Sequence, residues 1–283
     1  MSAHRTRTDR CPGVLRPWEA ADGLLVRLRL IGGRVSSTSL RLLSEAAEAY
    51  GDGRVHVTSR ANLQVRGLPG TDGRLDDAAV RAIEETGLLP APTHDLVRNV
   101  MVSPQTGLAG GRADLRPVAE ELDRRIRASA ELATLPGRFL FVLDDGRGDL
   151  MERTCDLGVV ALDADVVALR VGTHWAGVVP CRDAAARLAG LADLFLTVRG
   201  SGRAARWHVA DLDRPLVTPT AADPRVPEPA PPLPYGQVPG GRHVPVPEGG
   251  LDRDAVLALG AEADQLVVTP WRGVLVPGVG THG

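Results

Sequence analysis

At 283 residues with 43% apolar side chains, the chain is long enough to bury a sizeable core and to form one large or two smaller domains. Its formal charge of -2 and pI near 6.4 argue against non-specific nucleic-acid binding, and no run approaches the roughly 18 apolar residues of a membrane span. All 33 basic residues are arginine, which excludes Schiff-base and P-loop lysine chemistry.

Residues 1–10 are polar and carry no apolar signal core, so a soluble cytoplasmic protein is expected. In 24–30, Val26, Leu28 and Leu30 alternate with Arg27 and Arg29, the pattern of a half-buried strand. Gly32 and Gly33 break it. The hydroxyl run Ser36-Ser37-Thr38-Ser39 offers a helix cap, Leu40, Leu43, Ala47 and Tyr50 share one helical face, and Gly51 is a stop signal. Val55 and Val57, then Leu63 and Val65, alternate in two further strands, joined through the polar turn Thr58-Ser59-Arg60-Ala61-Asn62. A second helix is predicted over 75–85. The order strand–helix–strand–strand–helix points to an α+β ferredoxin-like half domain spanning 11–97.

A second region, 98–218, opens on a short strand at 100–102 and a helix over 117–132 led by Pro117. The apolar run 139–143 suits a strand buried on both faces. Strands at 157–162 and 166–171 and a helix over 183–195 complete an α/β domain. Residues 219–240 are proline-rich and read as an extended linker. Beyond it, a helix over 251–259 precedes Leu266-Val-Val-Thr-Pro-Trp-Arg-Gly-Val-Leu-Val-Pro-Gly278, an echo of 55–70: apolar strand, Thr, Arg-bearing turn, apolar strand, Pro-Gly. The expectation is that 241–283 starts a second ferredoxin-like half and leaves it incomplete. Cys11, Cys155 and Cys181 are widely spaced without a C-x-x-C pair, so neither a disulfide framework nor a four-thiolate cluster site is expected from this chain alone.

Four blocks carry a family resemblance. Thr58-x-Arg60-x-x-x-Gln64, Arg98-Asn99-Val100 with Ser103-Pro104, Leu135-Pro136-Gly137-Arg138-Phe139 and Asp156-Leu157-Gly158-Val159 resemble, in order, motifs of the nitrite/sulfite reductase superfamily. The opening Cys11-Pro12-Gly13-Val14, Asp22-Gly23-Leu24-Leu25-Val26-Arg27 and the late Thr269-Pro270-Trp271-Arg272-Gly273 are most similar to the precorrin-3B synthase branch. That resemblance implies oxidoreductase chemistry on a tetrapyrrole in aerobic cobalamin biosynthesis. The family uses a 4Fe–4S cluster and, in its reductases, siroheme. Its cluster cysteine motifs lie past the Trp-Arg-Gly block and are absent here, which predicts a chain cut off before them, no metal site, and a separate chain supplying the cluster half.

The resemblance places Arg60, Arg98 and Arg138 around one cavity for macrocycle carboxylates or a small oxyanion, with Asn62, Gln64 and Asn99 adding neutral hydrogen bonds. Arginine suits carboxylates because its planar fork binds them bidentately and stays charged. Where the reductases carry a second basic residue two positions beyond Arg138, Leu140 stands here, which weakens a sulfite or nitrite reductase reading. No catalytic residue is assigned. A non-catalytic tetrapyrrole- or partner-binding module remains the other reading. Arg66 and Arg272 read as structural or exposed, the 172–177 stretch with His174 and Trp175 as a loop, and Asp144, Asp145 and Asp149 as a solvated turn. His56, His94, His208 and His243 are too dispersed to suggest metal ligands.

Overall fold

The computed structural model describes residues 11–278; residues 1–10, the polar leader, and 279–283 lie outside it. The first half runs β1 (Trp18–Ala20), β2 (Gly23–Leu28), β3 (Arg34–Ser36), α1 (Ser37–Tyr50), β4 (His56–Val57), β5 (Leu63–Leu68), a small hairpin of β6 (Gly70–Thr71) and β7 (Arg74–Leu75), and α2 (Asp77–Glu85). The Ser36 hydroxyl accepts the Ser39 N–H at 2.9 Å and so starts α1. Its apolar face, Leu40, Leu43 and Ala47, packs on Val26, Leu28, Leu63 and Val65 of an antiparallel sheet ordered β1-β2-β5-β4. Leu75, expected to open the second helix, instead closes the small hairpin, and α2 begins two residues later.

The α/β domain follows: β8 (Val100–Val102), α3 (Arg116–Ala128), β9 (Phe141–Asp144), β10 (Leu157–Ala161), β11 (Val166–Val171), β12 (His174–Pro180) and α4 (Ala184–Val198). Its sheet is ordered β12-β11-β10-β9-β8, with β8, β9 and β10 parallel. Helices α3 and α4 cover one face around Phe139, Phe141 and Phe195. The opposite face carries Met101, Leu140, Val142 and Leu150. Strand β12 replaces the loop expected at His174 and Trp175: it pairs antiparallel with β11 through a tight turn at Gly172.

The C-terminal segment forms β13 (Gly236–Val238), β14 (Gly241–Pro245), α5 (Arg253–Glu262), β15 (Gln265–Thr269) and β16 (Gly273–Pro277). β13 lies within the stretch expected to be structureless. Its three residues are free of proline, so its backbone pairs with β14.

These elements repeat the first half strand for strand. The second sheet is ordered β13-β14-β16-β15-β3, against β1-β2-β5-β4 in the first. The fifth position is exchanged between them: β3 of the first half pairs with β15, and Leu251, ahead of α5, exchanges two backbone hydrogen bonds with Val55, ahead of β4. The hairpin turns match as well, with Ala61 at φ 56° and Arg272 at φ 57° in the same place. Leu259, Leu266, Val268, Val274 and Val276 therefore join Leu28, Leu63 and Val65 in one shared core.

Candidate functional site

Strand alternation turns Val26 and Leu28 into the core and Arg27 to the other face of the first sheet, where the β2–β5 register sets it opposite Gln64. The β4–β5 turn projects Arg60. Thr58 holds that turn: its hydroxyl accepts the N–H groups of Arg60 at 3.4 Å and Asn62 at 3.2 Å. Nη1 of Arg60 then donates to the carbonyl of Arg138 at 3.0 Å, so the hairpin tip rests on the segment leading into β9. Arg138 itself is exposed.

Arg27, Arg60 and Arg138 act on one another electrostatically. Burial holds the guanidinium of Arg27 below its usual range; the Cys11 thiol opposes this and the charges of Arg60 and Arg138 add to it. Arg60 is lowered in the same way, by burial first, with Cys11 and Asp156 opposing and Arg138 adding. Among the described residues no carboxylate forms an ion pair with any of the three. Nε of Arg27 is buried without a hydrogen-bond partner. Neighbouring arginines without a carboxylate ion-pair partner among the described residues, one with a buried unsatisfied donor, make this face the candidate anion site.

The other expected ligands are elsewhere. Arg98 is 7% exposed and donates through Nε to Asp123 at 2.6 Å, while Asp123 also takes Nε of Arg127 at 2.9 Å. It does not share the Arg60 site, because a buried guanidinium is held by the carboxylate that α3 presents to it. Asn62, 1% exposed, accepts the Leu30 N–H at 2.9 Å and braces the chain after β2. Asn99 accepts Nε of Arg29 at 3.1 Å and donates to the carbonyls of Leu96 and Gly137 at 3.1 and 3.0 Å. Both amides are struts of the scaffold. Gln64 remains on the open face beside Arg27.

A cavity of about 640 Å³ lies on the Arg98 side, between β3, the start of α3 and the end of α5. Its four arginines each face a carboxylate: Arg29 faces Asp95 at 3.8 Å, Arg34 faces Glu120 at 2.7 Å, Arg98 faces Asp123, and Arg116 faces Asp114 at 2.7 Å. Volume alone therefore does not mark the anion site.

Leu140 is buried against Met101, Val142 and Leu150, and Trp271, at the tip of the β15–β16 hairpin, packs on this group. The two matching hairpins thus rest side by side on the start of β9, one presenting Arg60 and the other Trp271. The acidic residues expected in a solvated turn are buried. Asp144 accepts the N–H groups of Gly146, Gly148 and Leu150, and Asp145, 0% exposed, pairs with Arg147 at 2.8 Å.

Among the described residues no group of three or more His, Cys, Asp or Glu is arranged to hold a metal ion. Burial pushes the Cys155 thiol up to about 11 and raises Cys181 too, so neither is a ready thiolate. These donors do not fit an iron–sulfur cluster.

Sequence reasoning missed Arg27 as a site residue, although its alternation with Val26 and Leu28 carried the signal. It also passed over Asp156 and His208. Asp156 accepts the N–H groups of Leu140 and Val209, both at 2.9 Å, and faces Nδ1 of His208. Only the fold brings that distant histidine to the family block.

Residues 18–72 match the model of the nitrite/sulfite reductase ferredoxin-like half domain. The chain is 31% identical over 146 residues to a precorrin-3B synthase of Sinorhizobium sp, covering 50% of this chain and 29% of that protein. It is 32% identical over 124 residues to a ferredoxin–nitrite reductase of Leptolyngbya laminosa, covering 41% of this chain and 23% of that one. The matches thus take in less than a third of either curated relative. The Mycobacterium tuberculosis NirA protein has the same fold at 18% identity, with a TM-score of 0.69 over 91% of this chain and 54% of that one. The half-domain match over 18–72 and the two curated relatives support the nitrite/sulfite reductase superfamily for this chain, and the likeness to NirA supports its fold.

Proposed function

We propose that this chain is the anion-binding part of a precorrin-3B synthase-like oxidoreductase of aerobic cobalamin biosynthesis, acting on a carboxylate-rich tetrapyrrole. The observation that carries the reading is the group Arg27, Arg60 and Arg138, without carboxylate partners among the described residues and with a buried donor of Arg27 unsatisfied. Acetate and propionate groups on one rim of a macrocycle match three fixed cations. Gln64, beside Arg27, adds a neutral hydrogen bond.

The site's own residues bind and orient. Arg60, pinned to the Arg138 carbonyl, is preorganised, so little side-chain entropy is lost on binding. Trp271, half-buried on the apolar group around Leu140, adds an apolar surface nearby. That surface favours a large amphipathic ring over a small inorganic oxyanion. A cluster, when present in the family, supplies electrons. Its ligands do not lie among the described residues, and we assign them to a separate chain.

The test is equilibrium binding of uroporphyrin, a tetrapyrrole carrying acetate and propionate groups, by fluorescence titration. Arg27→Ala and Arg60→Ala are each expected to weaken binding by about 10-fold or more, since a charge-assisted hydrogen bond contributes roughly 1.5–3 kcal/mol. Unchanged affinity in both variants would remove the assignment. The same titration tests the non-catalytic module: binding with no turnover, even after addition of a cluster-bearing partner, favours a binding protein.

A further inference from the structure

His208 stands at the arginine site without a part in the reading above. Its Nδ1 faces both oxygens of Asp156 at 3.3 Å. Asp156 is 3% exposed and is fixed by the N–H groups of Leu140 and Val209. The same short segment is gripped twice: Arg60 holds the carbonyl of Arg138, and Asp156 holds the N–H of Leu140. His208 therefore reaches the Arg60 site through one rigid carboxylate. Its side chain is 36% exposed, and no hydrogen bond among the described residues engages Nε2. A carboxylate on Nδ1 fixes the ring's orientation and leaves Nε2 as the working nitrogen.

We propose that His208 is a fourth, proton-switched cation of this site: its Nε2–H binds a carboxylate of the same polyanion that Arg60 grips, and Asp156 is the residue that positions it. This rests on the arginine site being the anion site. The charged groups acting on His208 are Asp156 from the start of β10, Asp211 from its own turn, and Arg60 from the β4–β5 hairpin. Its hydrogen bond to the Asp156 carboxylate raises its pKa above the ordinary value, with burial and Arg60 opposing. An anion that neutralises Arg60 removes part of that opposition. Binding then takes up a proton, and affinity falls as pH rises through the His208 titration.

The experiment is a uroporphyrin titration of the full chain between pH 6.5 and 8.5, where the probe's carboxylates stay ionised. The wild type is expected to bind about tenfold more weakly at pH 8.5 than at 6.5, the effect of a one-unit shift on binding. His208→Gln is expected to be flat across this range and close to the wild type at pH 8.5. A long-range proton–nitrogen NMR titration of the imidazole, assigned by its loss in His208→Gln, reads the group directly. Saturating uroporphyrin should raise its midpoint. An unmoved midpoint, or a wild-type pH slope in His208→Gln, overturns the role of His208 and leaves the arginines standing if Arg27→Ala and Arg60→Ala still weaken binding. Absence of wild-type binding at every pH overturns the arginine site and the histidine role together.

Discussion

Two arginines one motif apart have opposite duties. Arg60 forms no ion pair with a carboxylate among the described residues, whereas Arg98 is locked to Asp123. Arg98→Ala is therefore expected to lower stability by roughly 3 kcal/mol, at the lower end for breaking a buried pair because Arg127 still contacts Asp123, and to leave uroporphyrin affinity near the wild type. Thermal denaturation and the binding titration together separate the two roles. Asp149 gives a pH signature. Burial and the neighbouring Asp144 push its carboxyl up to about 7, with the Ser103 hydroxyl opposing. An acid raised on folding binds its proton more tightly in the native state, so stability should rise as pH falls from about 7 toward the ordinary carboxylate range. Asp149→Asn should stabilise the chain by roughly 1–3 kcal/mol at pH 8, do little at pH 5, and flatten that part of the stability profile.

At the scale of elements, what was legible depended on how local its cause is. Helix α1 could be read because its cap, apolar face and stop lie within one stretch from Ser36 to Gly51. Ser36→Ala should cost about 1 kcal/mol, and Asp252→Ala about the same at α5, where its carboxylate accepts the Ala255 N–H; urea denaturation reads both. Short strands without an apolar run of their own were not legible. β3 and β13 each hold three residues and exist because a distant neighbour offers them a ladder. The site divides in the same way. The motif blocks located Arg60 and Arg138, but a motif does not say which way an amide faces. Asn62 and Asn99 turn inward to backbone groups supplied by Leu30, Leu96 and Gly137, a matter of packing between segments. Arg27 needed the register with Gln64, and His208 needed the whole α/β domain to reach Asp156.

On the scale of the whole molecule, the two ferredoxin-like halves are one body with a shared core, and each lends the other an edge. Gly33 sits at the crossing. Its φ is +73°, and a Cβ there would lie 2.1 Å from the carbonyl oxygen of Val268. Gly33→Ala should therefore destabilise the chain by more than the roughly 1 kcal/mol of ordinary left-handed strain, since the contact is to backbone and cannot be relieved by a rotamer change. Calorimetry of the full chain would show it as a lowered melting temperature.

The exchange also sets a timetable for synthesis. Val35 meets Leu266, and Val55 meets Leu251, near opposite ends of the chain. While the ribosome is still making the α/β domain, both places on the first half present bare backbone donors and acceptors to solvent, and sheet edges of that kind recruit other chains. A nascent protein in this state depends on holding its first half in reserve until the last strands arrive.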